Sequence, residues 1–178
     1  MKLPVRIALM VLCMFRRMSN RFYDLEIEKY IVVDFQQVQN IIDAIGGVEV
    51  EVSEPERQQV NSILKFYNGK IGDKENDQLL QESGLVHLTG KQALCYSRIR
   101  KIDGDFQRKV LEAAFRKVTQ QSMAEISMLI LQNMDAVQTD LTIADAVDLI
   151  PLALRCKNAS FETLAIPVEG SYSSATVD

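Results

Sequence analysis

A pair of glycines does most to limit what this chain can become. Gly46-Gly47 stands between apolar residues at helical spacing and a stretch of strict two-residue alternation. Before it, Phe35, Val38, Ile41, Ile42 and Ile45 share one face of a helix that Asp34 is placed to cap and that runs through Ala44. After it, Val48-Glu49-Val50-Glu51-Val52 reads as a strand with one dry face. Only glycine enters the left-handed helix-ending conformation without a steric penalty. Ahead of the helix, Tyr30-Ile31-Val32-Val33 is a β-branched run of the buried-strand type. Strand, helix, Gly-Gly, strand predicts a βαβ-like unit, and with it an α/β class in which a mixed sheet is flanked by helices.

The rest of the chain extends that pattern. Pro55 suits the first turn of a helix running to about Phe66, and the polar, acidic stretch from Asn68 to Glu82 predicts an exposed loop with a short helix. Thr89-Gly90 opens another helix through Ala93, Leu94 and Tyr96. Beyond a turn at Asp103-Gly104, the positions Phe106, Val110, Leu111, Ala114, Phe115 and Val118 recur at helical intervals. Two further helices are expected over about Met123–Met134 and Ile143–Leu154, and a last strand over Phe161–Ile166. At 178 residues, 47% hydrophobic, with 8 Gly, 4 Pro and no internal repeat, one domain of ordinary size accommodates all of it.

Several chemistries are excluded by what is scarce. Cys13, Cys95 and Cys156 are odd in number, far apart and without a CxxC pair, which argues against a disulfide framework and a zinc site. Each reads as a small buried apolar residue. His87 is the single histidine, so a multi-histidine metal centre cannot form. It lies in Gly84–Gly90, a loop-like stretch with no identifiable nucleophile to serve, and reads as structural.

Charge is what is concentrated. Residues 1–21 carry Lys2, Arg6, Arg16, Arg17 and Arg21 with no acid, a local +5. Residues 91–117 carry another +5, leaving −14 elsewhere in a chain whose total is −4. An acidic protein that gathers cations into one internal segment is equipped to hold an anion there, although a solvated helix face is the plain alternative. The N-terminal cations flank the apolar run Ile7–Phe15. Nine residues cannot span a bilayer, which takes about 20 in a helix, so residues 1–17 are expected to form a short basic amphipathic or buried helix, with a membrane surface as one partner it suits.

Within the internal segment, Arg98 and Arg100 stand two apart. If that stretch is extended, two planar guanidinium forks project from one face, an arrangement suited to a pyrophosphate. Asp105 and Arg108 follow at i, i+3 in the first turn of the next helix, whose free N–H groups favour phosphate. Asp105 there can cap the helix, orient an arginine, or hold a divalent cation that bridges phosphate oxygens. On spacing alone a salt-bridged, solvated turn is the favoured reading of these residues.

A family resemblance sharpens the choice. Tyr30-Ile31-Val32-Val33-Asp34-Phe35, Ile41-Ile42-Asp43-Ala44-Ile45-Gly46-Gly47-Val48, Leu88-Thr89-Gly90-Lys91-Gln92-Ala93-Leu94, Ser97-Arg98-Ile99-Arg100 and Gly104-Asp105-Phe106 with Arg108 occur in the order found in LytR-CpsA-Psr domains. Thr139-Asp140-Leu141 and Ile166-Pro167 resemble later landmarks of the same family. The match spans roughly residues 18–170, with residues 171–178 as a tail. The resemblance implies a bacterial phosphotransferase acting on the outer face of the cell membrane. It would move a glycopolymer (teichoic acid, capsule or similar) from a polyprenyl-pyrophosphate carrier to a peptidoglycan acceptor, with Mg²⁺ at the pyrophosphate. It further implies that Arg98 and Arg100 are the pair gripping the pyrophosphate, and that Asp105 and Arg108 are the acid and arginine of the following turn.

Two departures from the family pattern stand out. The half-domain that normally precedes this region, with a membrane helix and further Asp and Arg residues near the metal, is expected to be missing. The domain would then be an incomplete three-layer α/β/α structure that need not be active alone. The arginine-rich run after Phe106 is also about five residues short. A different kind of protein, a non-catalytic module that binds or senses a lipid-linked anionic polymer, remains open. A nucleic-acid regulator, which the family's older name of transcriptional attenuator suggests, is disfavoured by the acidic balance and the lack of a helix-turn-helix signature.

Overall fold

Helix boundaries in the computed structural model fall where side chains satisfy the free N–H groups of first turns. The structure describes residues 14–22, 24, 26–100, 102, 105–133 and 137–155. Helix α1 covers residues 14–22, and the short strand β1 covers Ile31–Val32. Helix α2, Phe35–Ala44, begins with Asp34 accepting from the Gln37 N–H at 2.8 Å while Gln37 Oε1 accepts from the Asp34 N–H. Helix α3, Glu54–Ile71, places Pro55 in its first turn, with Glu56 accepting from the Ser53 N–H at 2.7 Å. Helix α4, Gly90–Ser97, uses Thr89 and Gln92 in the same reciprocal way. Helices α5 (Phe106–Thr119), α6 (Met123–Asn133) and α7 (Ile143–Arg155) follow.

The strands form two antiparallel ribbons among the described residues. Strand β2, Val48–Val52, pairs with β3, Gly84–Leu88, in the register Val48↔Leu88 and Val50↔Val86. Strand β1 pairs with β4, Gln138–Thr139. The class is mixed α/β, as expected, but the βαβ-like unit is corrected: α2 joins strands of different ribbons. The reason lies in β1, which is two residues long and finds its partner near residue 139, while the alternation of β2 covers one apolar face only. Val48, Val50 and Val52 are buried and Glu49 and Glu51 are exposed.

Three local readings also change. His87 sits in β3 opposite Glu49 rather than in a loop, because Gly84–Leu88 supplies the pairing that β2 requires. Helix α3 runs past Phe66 to Ile71, and Asn68, expected in an exposed loop, is fully buried. Its amide donates to the carbonyls of Glu75 and Asp77 and thereby ties down the loop that follows. Leu111, expected on the apolar face of α5, is exposed, while Phe106 and Val110 are buried. The predicted strand at Phe161–Ile166, together with Cys13 and Cys156, lies outside the described residues.

The core gathers Val48, Val60, Leu64, Leu88, Ala93, Cys95, Tyr96 and Ile99 between the β2–β3 ribbon and helices α2 to α5. Tyr96 meets Phe106 edge to face, with ring centroids 5.3 Å apart. Cys95 is the buried apolar residue expected, and burial pushes its thiol up to about 11. Glycine is required at Gly47 for two reasons. Its φ is +77°, and a Cβ there would lie 2.5 Å from His87 Nε2. At Gly90 an added Cβ would overlap the Gln39 carbonyl oxygen, so α2 and α4 approach to backbone contact, and the Gly90 N–H donates to Asp43 Oδ1 at 2.7 Å.

Candidate functional site

The core anchors the segment between α4 and α5 through Ile102, which packs against it, and through Ile99, which is 2% exposed. Its neighbours Arg98 and Arg100 are both exposed, so the triplet alternates as the sequence suggested. The backbone at Arg98 is not extended, however: this residue ends α4 with φ −97° and ψ 2°. Its guanidinium carbon lies 4.9 Å from the centre of the Phe35 ring, at the first residue of α2. Arg100 folds over its own turn, with Nη1 donating to the Ser97 and Ile99 carbonyls at 3.1 and 2.8 Å. A depression of about 160 Å³ opens beside it, lined by Arg100, Asp105, Phe106 and Gln107.

Asp105 holds the N-cap position of α5 but makes no capping hydrogen bond. Its carboxylate pairs with Arg108 Nη1 at 2.7 Å instead. Of the three roles open to it, orienting an arginine is the one observed, and Asp105 leaves the first-turn N–H groups of α5 uncapped. Arg108 also approaches Glu112 Oε1 at 3.5 Å. Arg100, Asp105 and Arg108 are thus brought together at one helix mouth, while Arg98 is held apart against Phe35.

A magnesium ion would meet a sparse protein donor set here. Among the described residues Asp105 is the one carboxylate lining the depression, and they form no group of three His, Cys, Asp or Glu suited to a metal. That set fits a cation that draws most of its octahedral ligands from phosphate oxygens and water, not one held in a protein cage.

Structure also sorts the internal positive segment, which the sequence could only count. Lys91, 9% exposed, donates to Asp73 and Asp77 at 2.7 and 2.8 Å and to Asn68 Oδ1 at 3.2 Å. Burial alone would lower its pKa, but the hydrogen bonds it donates to Asp73 and Asp77 outweigh this and hold it above the usual lysine value. Lys109 turns inward to Glu56 at 3.0 Å and to Tyr96 Oη at 3.3 Å. Burial would raise the Glu56 carboxyl, but the Ser53 N–H and Lys109 outweigh it and hold Glu56 below the usual range. Lys91 and Lys109 are therefore structural, and Arg98 and Arg100 remain without a carboxylate among the described residues. Sequence reasoning missed Phe35 as the platform for Arg98. An exposed aromatic directly after the Asp34 cap was the signal.

The class these features define is an α/β domain that gathers Arg100, Asp105 and Arg108 at the mouth of a helix, a set of groups suited to an anion. The chain belongs to the LytR_cpsA_psr family, whose model matches residues 12–177. It is similar to the polyisoprenyl-teichoic acid–peptidoglycan teichoic acid transferase TagV of Bacillus subtilis (strain 168), at 27% identity over 85% of this chain and 38% of TagV. It is similar to the TagU transferase of Bacillus mycoides (strain KBAB4), at 32% identity over 84% of this chain and 46% of TagU. The crystal structure of B. subtilis TagV shares the fold with a TM-score of 0.57 at 24% identity, over 77% of this chain and 50% of that one. The family protein YwtF (TagT) with bound octaprenyl pyrophosphate lipid gives 0.53 at 21% identity, over 78% of this chain and 47% of that one. This chain spans less than half the length of the curated relatives it matches.

Proposed function

We propose that this chain carries the pyrophosphate-gripping part of a phosphotransferase that moves a glycopolymer, of the teichoic acid or capsule kind, from a polyprenyl-pyrophosphate carrier to peptidoglycan. The observation that supports it most is the convergence of Arg100, Asp105 and Arg108 on the first turn of α5, which Asp105 does not cap. The relatives' transferase names and the octaprenyl pyrophosphate bound by YwtF agree with a diphosphate ligand.

In such a transfer an acceptor hydroxyl oxygen forms a bond to the glycan-bearing phosphorus and gives up its proton to water. The bond from that phosphorus to the bridging oxygen breaks, and polyprenyl monophosphate leaves with the electron pair. Little covalent chemistry falls to the protein, so positioning and charge neutralisation dominate. Arg100 and the α5 N–H groups would hold the non-bridging oxygens. Arg108, fixed in direction by Asp105, would meet the charge that grows on the leaving phosphate. Arg98, mounted on Phe35, would close the other side. Asp105 would help to hold Mg²⁺, whose chemistry when bound would be further charge neutralisation. The carrier is a lipid, so the reaction would take place at a membrane surface, on the outer face of the cell membrane.

The alternative, a module that holds the lipid-linked polymer without turning it over, is favoured by the single carboxylate that the described residues bring to the depression. Titration calorimetry with farnesyl pyrophosphate, with and without Mg²⁺, tests the shared grip. Arg100→Ala should weaken binding by on the order of 10–100-fold, the value of one charge-assisted hydrogen bond or two. Equal affinity in the wild type and Arg100→Ala would remove the proposal. Release of polyprenyl phosphate from a pyrophosphate-linked glycan with peptidoglycan present separates the enzyme from the module.

A further inference from the structure

Helix α1 is built inside out. Met14, Phe15, Met18 and Phe22 are 55%, 68%, 53% and 71% exposed. At about 100° per residue these four fall within one arc of about 100°. The opposite side, which faces the body of the protein, is polar. Arg16 donates to the Glu28 carbonyl at 2.7 Å and pairs with Asp140 at 3.7 Å, Asn20 exchanges two hydrogen bonds with the Ile27 backbone, and Ser19 is buried. A helix folded only for water would reverse this arrangement. Arg17 and Arg21 lie beside the apolar arc, exposed and without a carboxylate partner among the described residues.

We propose that α1 is a docking surface for an anionic lipid bilayer, lying in the plane of the interface. Met14, Phe15, Met18 and Phe22 would sink to the headgroup–acyl boundary, and Arg17 and Arg21 would rest among lipid phosphates. An apolar arc with cations along its flank has the chemistry of an interfacial helix. Charge complementarity selects the occupant: residues 1–21 hold five basic side chains and no acid. A second copy meeting this face symmetrically would bring Arg17 and Arg21 against their own likes. No helix among the described residues is long and apolar enough to cross a membrane, so contact here means lying on the surface.

The inference rests on the membrane setting of the proposed function but not on its pyrophosphate grip. Vesicles that contain no pyrophosphate lipid keep the two apart. The chain has no tryptophan, so Phe22→Trp gives a single reporter. With the 178-residue chain and vesicles of phosphatidylcholine and phosphatidylglycerol, its emission should shift to the blue, and the protein should float with the vesicles. Met18→Glu should reduce the bound fraction at least about tenfold. Arg17→Ala and Arg21→Ala should each weaken binding roughly fivefold, and added salt should do the same. Circular dichroism checks that these exposed substitutions leave the fold intact. Vesicle binding unchanged by Met18→Glu, or no binding at all, overturns the proposal. So does a concentration-dependent dimer that Met18→Glu dissolves, which would assign the face to a second copy.

Discussion

Replacing Lys91 by methionine should loosen the loop after α3 and the start of α4 together. The ammonium is the shared partner of Asp73, Asp77 and Asn68. The two ion pairs contribute little, because the carboxylates keep 43% and 42% of their side chains exposed and pairs of that kind are worth about 0.2–1 kcal/mol each. The larger loss is at Asn68, fully buried, whose Oδ1 would lose its donor. An unsatisfied buried acceptor costs about 1–3 kcal/mol. Relief from burying an ammonium offsets part of this, so the net destabilisation should be about 2 kcal/mol, or a fall of about 4–8 °C in Tm for a chain this long. Thermal melts near neutral pH read it directly. Asp73→Asn and Asp77→Asn should each lose less, because they leave the Asn68 contact in place. Since the pKa of Lys91 is raised above 10.5, its contribution is complete below that pH and lost only as pH climbs through the raised value. A Lys91→Met variant that melts within about one degree of wild type would refute this account.

Gly90→Ala should destabilise by about 2–3 kcal/mol, since the new Cβ would overlap the Gln39 carbonyl oxygen and lie 2.8 Å from Asp43 Oδ2. Denaturant titration measures it, and a loss under about 0.5 kcal/mol would mean that α2 and α4 separate freely. The lowered Glu56 pKa makes its contribution full above about pH 4.5 and lost as pH falls through the folded value. Glu56→Gln should accordingly flatten the acid side of the stability profile, and a slope equal to wild type would contradict the Lys109 pairing. Phe35→Ala should leave stability within about 1 kcal/mol, because the ring is 58% exposed, yet weaken farnesyl pyrophosphate binding about threefold to tenfold by freeing Arg98. Unchanged binding would mean that the ring does not position Arg98.

Local signals were legible wherever one residue decides the outcome. Asp34, Thr89-Gly90 and Gly46-Gly47 mark helix ends because the satisfaction of backbone N–H groups and the left-handed conformation are local matters. Strand partnership was not legible, since Val48–Val52 alternates in the same way whichever strand it meets. His87 and Asn68 were misread for a related reason: each is placed by a partner distant in sequence, Glu49 for one and Lys91 for the other. At the site, the spacing of Asp105 and Arg108 foretold their contact because one helix turn sets it. The separation of Arg98 from Arg100 was hidden, because a ring on another helix, Phe35, decides it.

The two ribbons differ in how much chain each must enclose. Strands β2 and β3 are joined by residues 53–83, whereas β1 and β4 are joined by residues 33–137. Closing the longer loop costs about 1 kcal/mol more in chain entropy, against which stand two strand pairs and the hydrogen bonds of the Tyr30 backbone with Thr139 and Asp140. The seam between Ile31 and Thr139 should therefore zip last during folding and breathe first afterwards, with amide protons that exchange with solvent well before those of Val48–Val52. Helix α1, which is tied to this seam through Arg16 and Asp140, would share that looseness and tilt to meet a surface while the β2–β3 ribbon holds still.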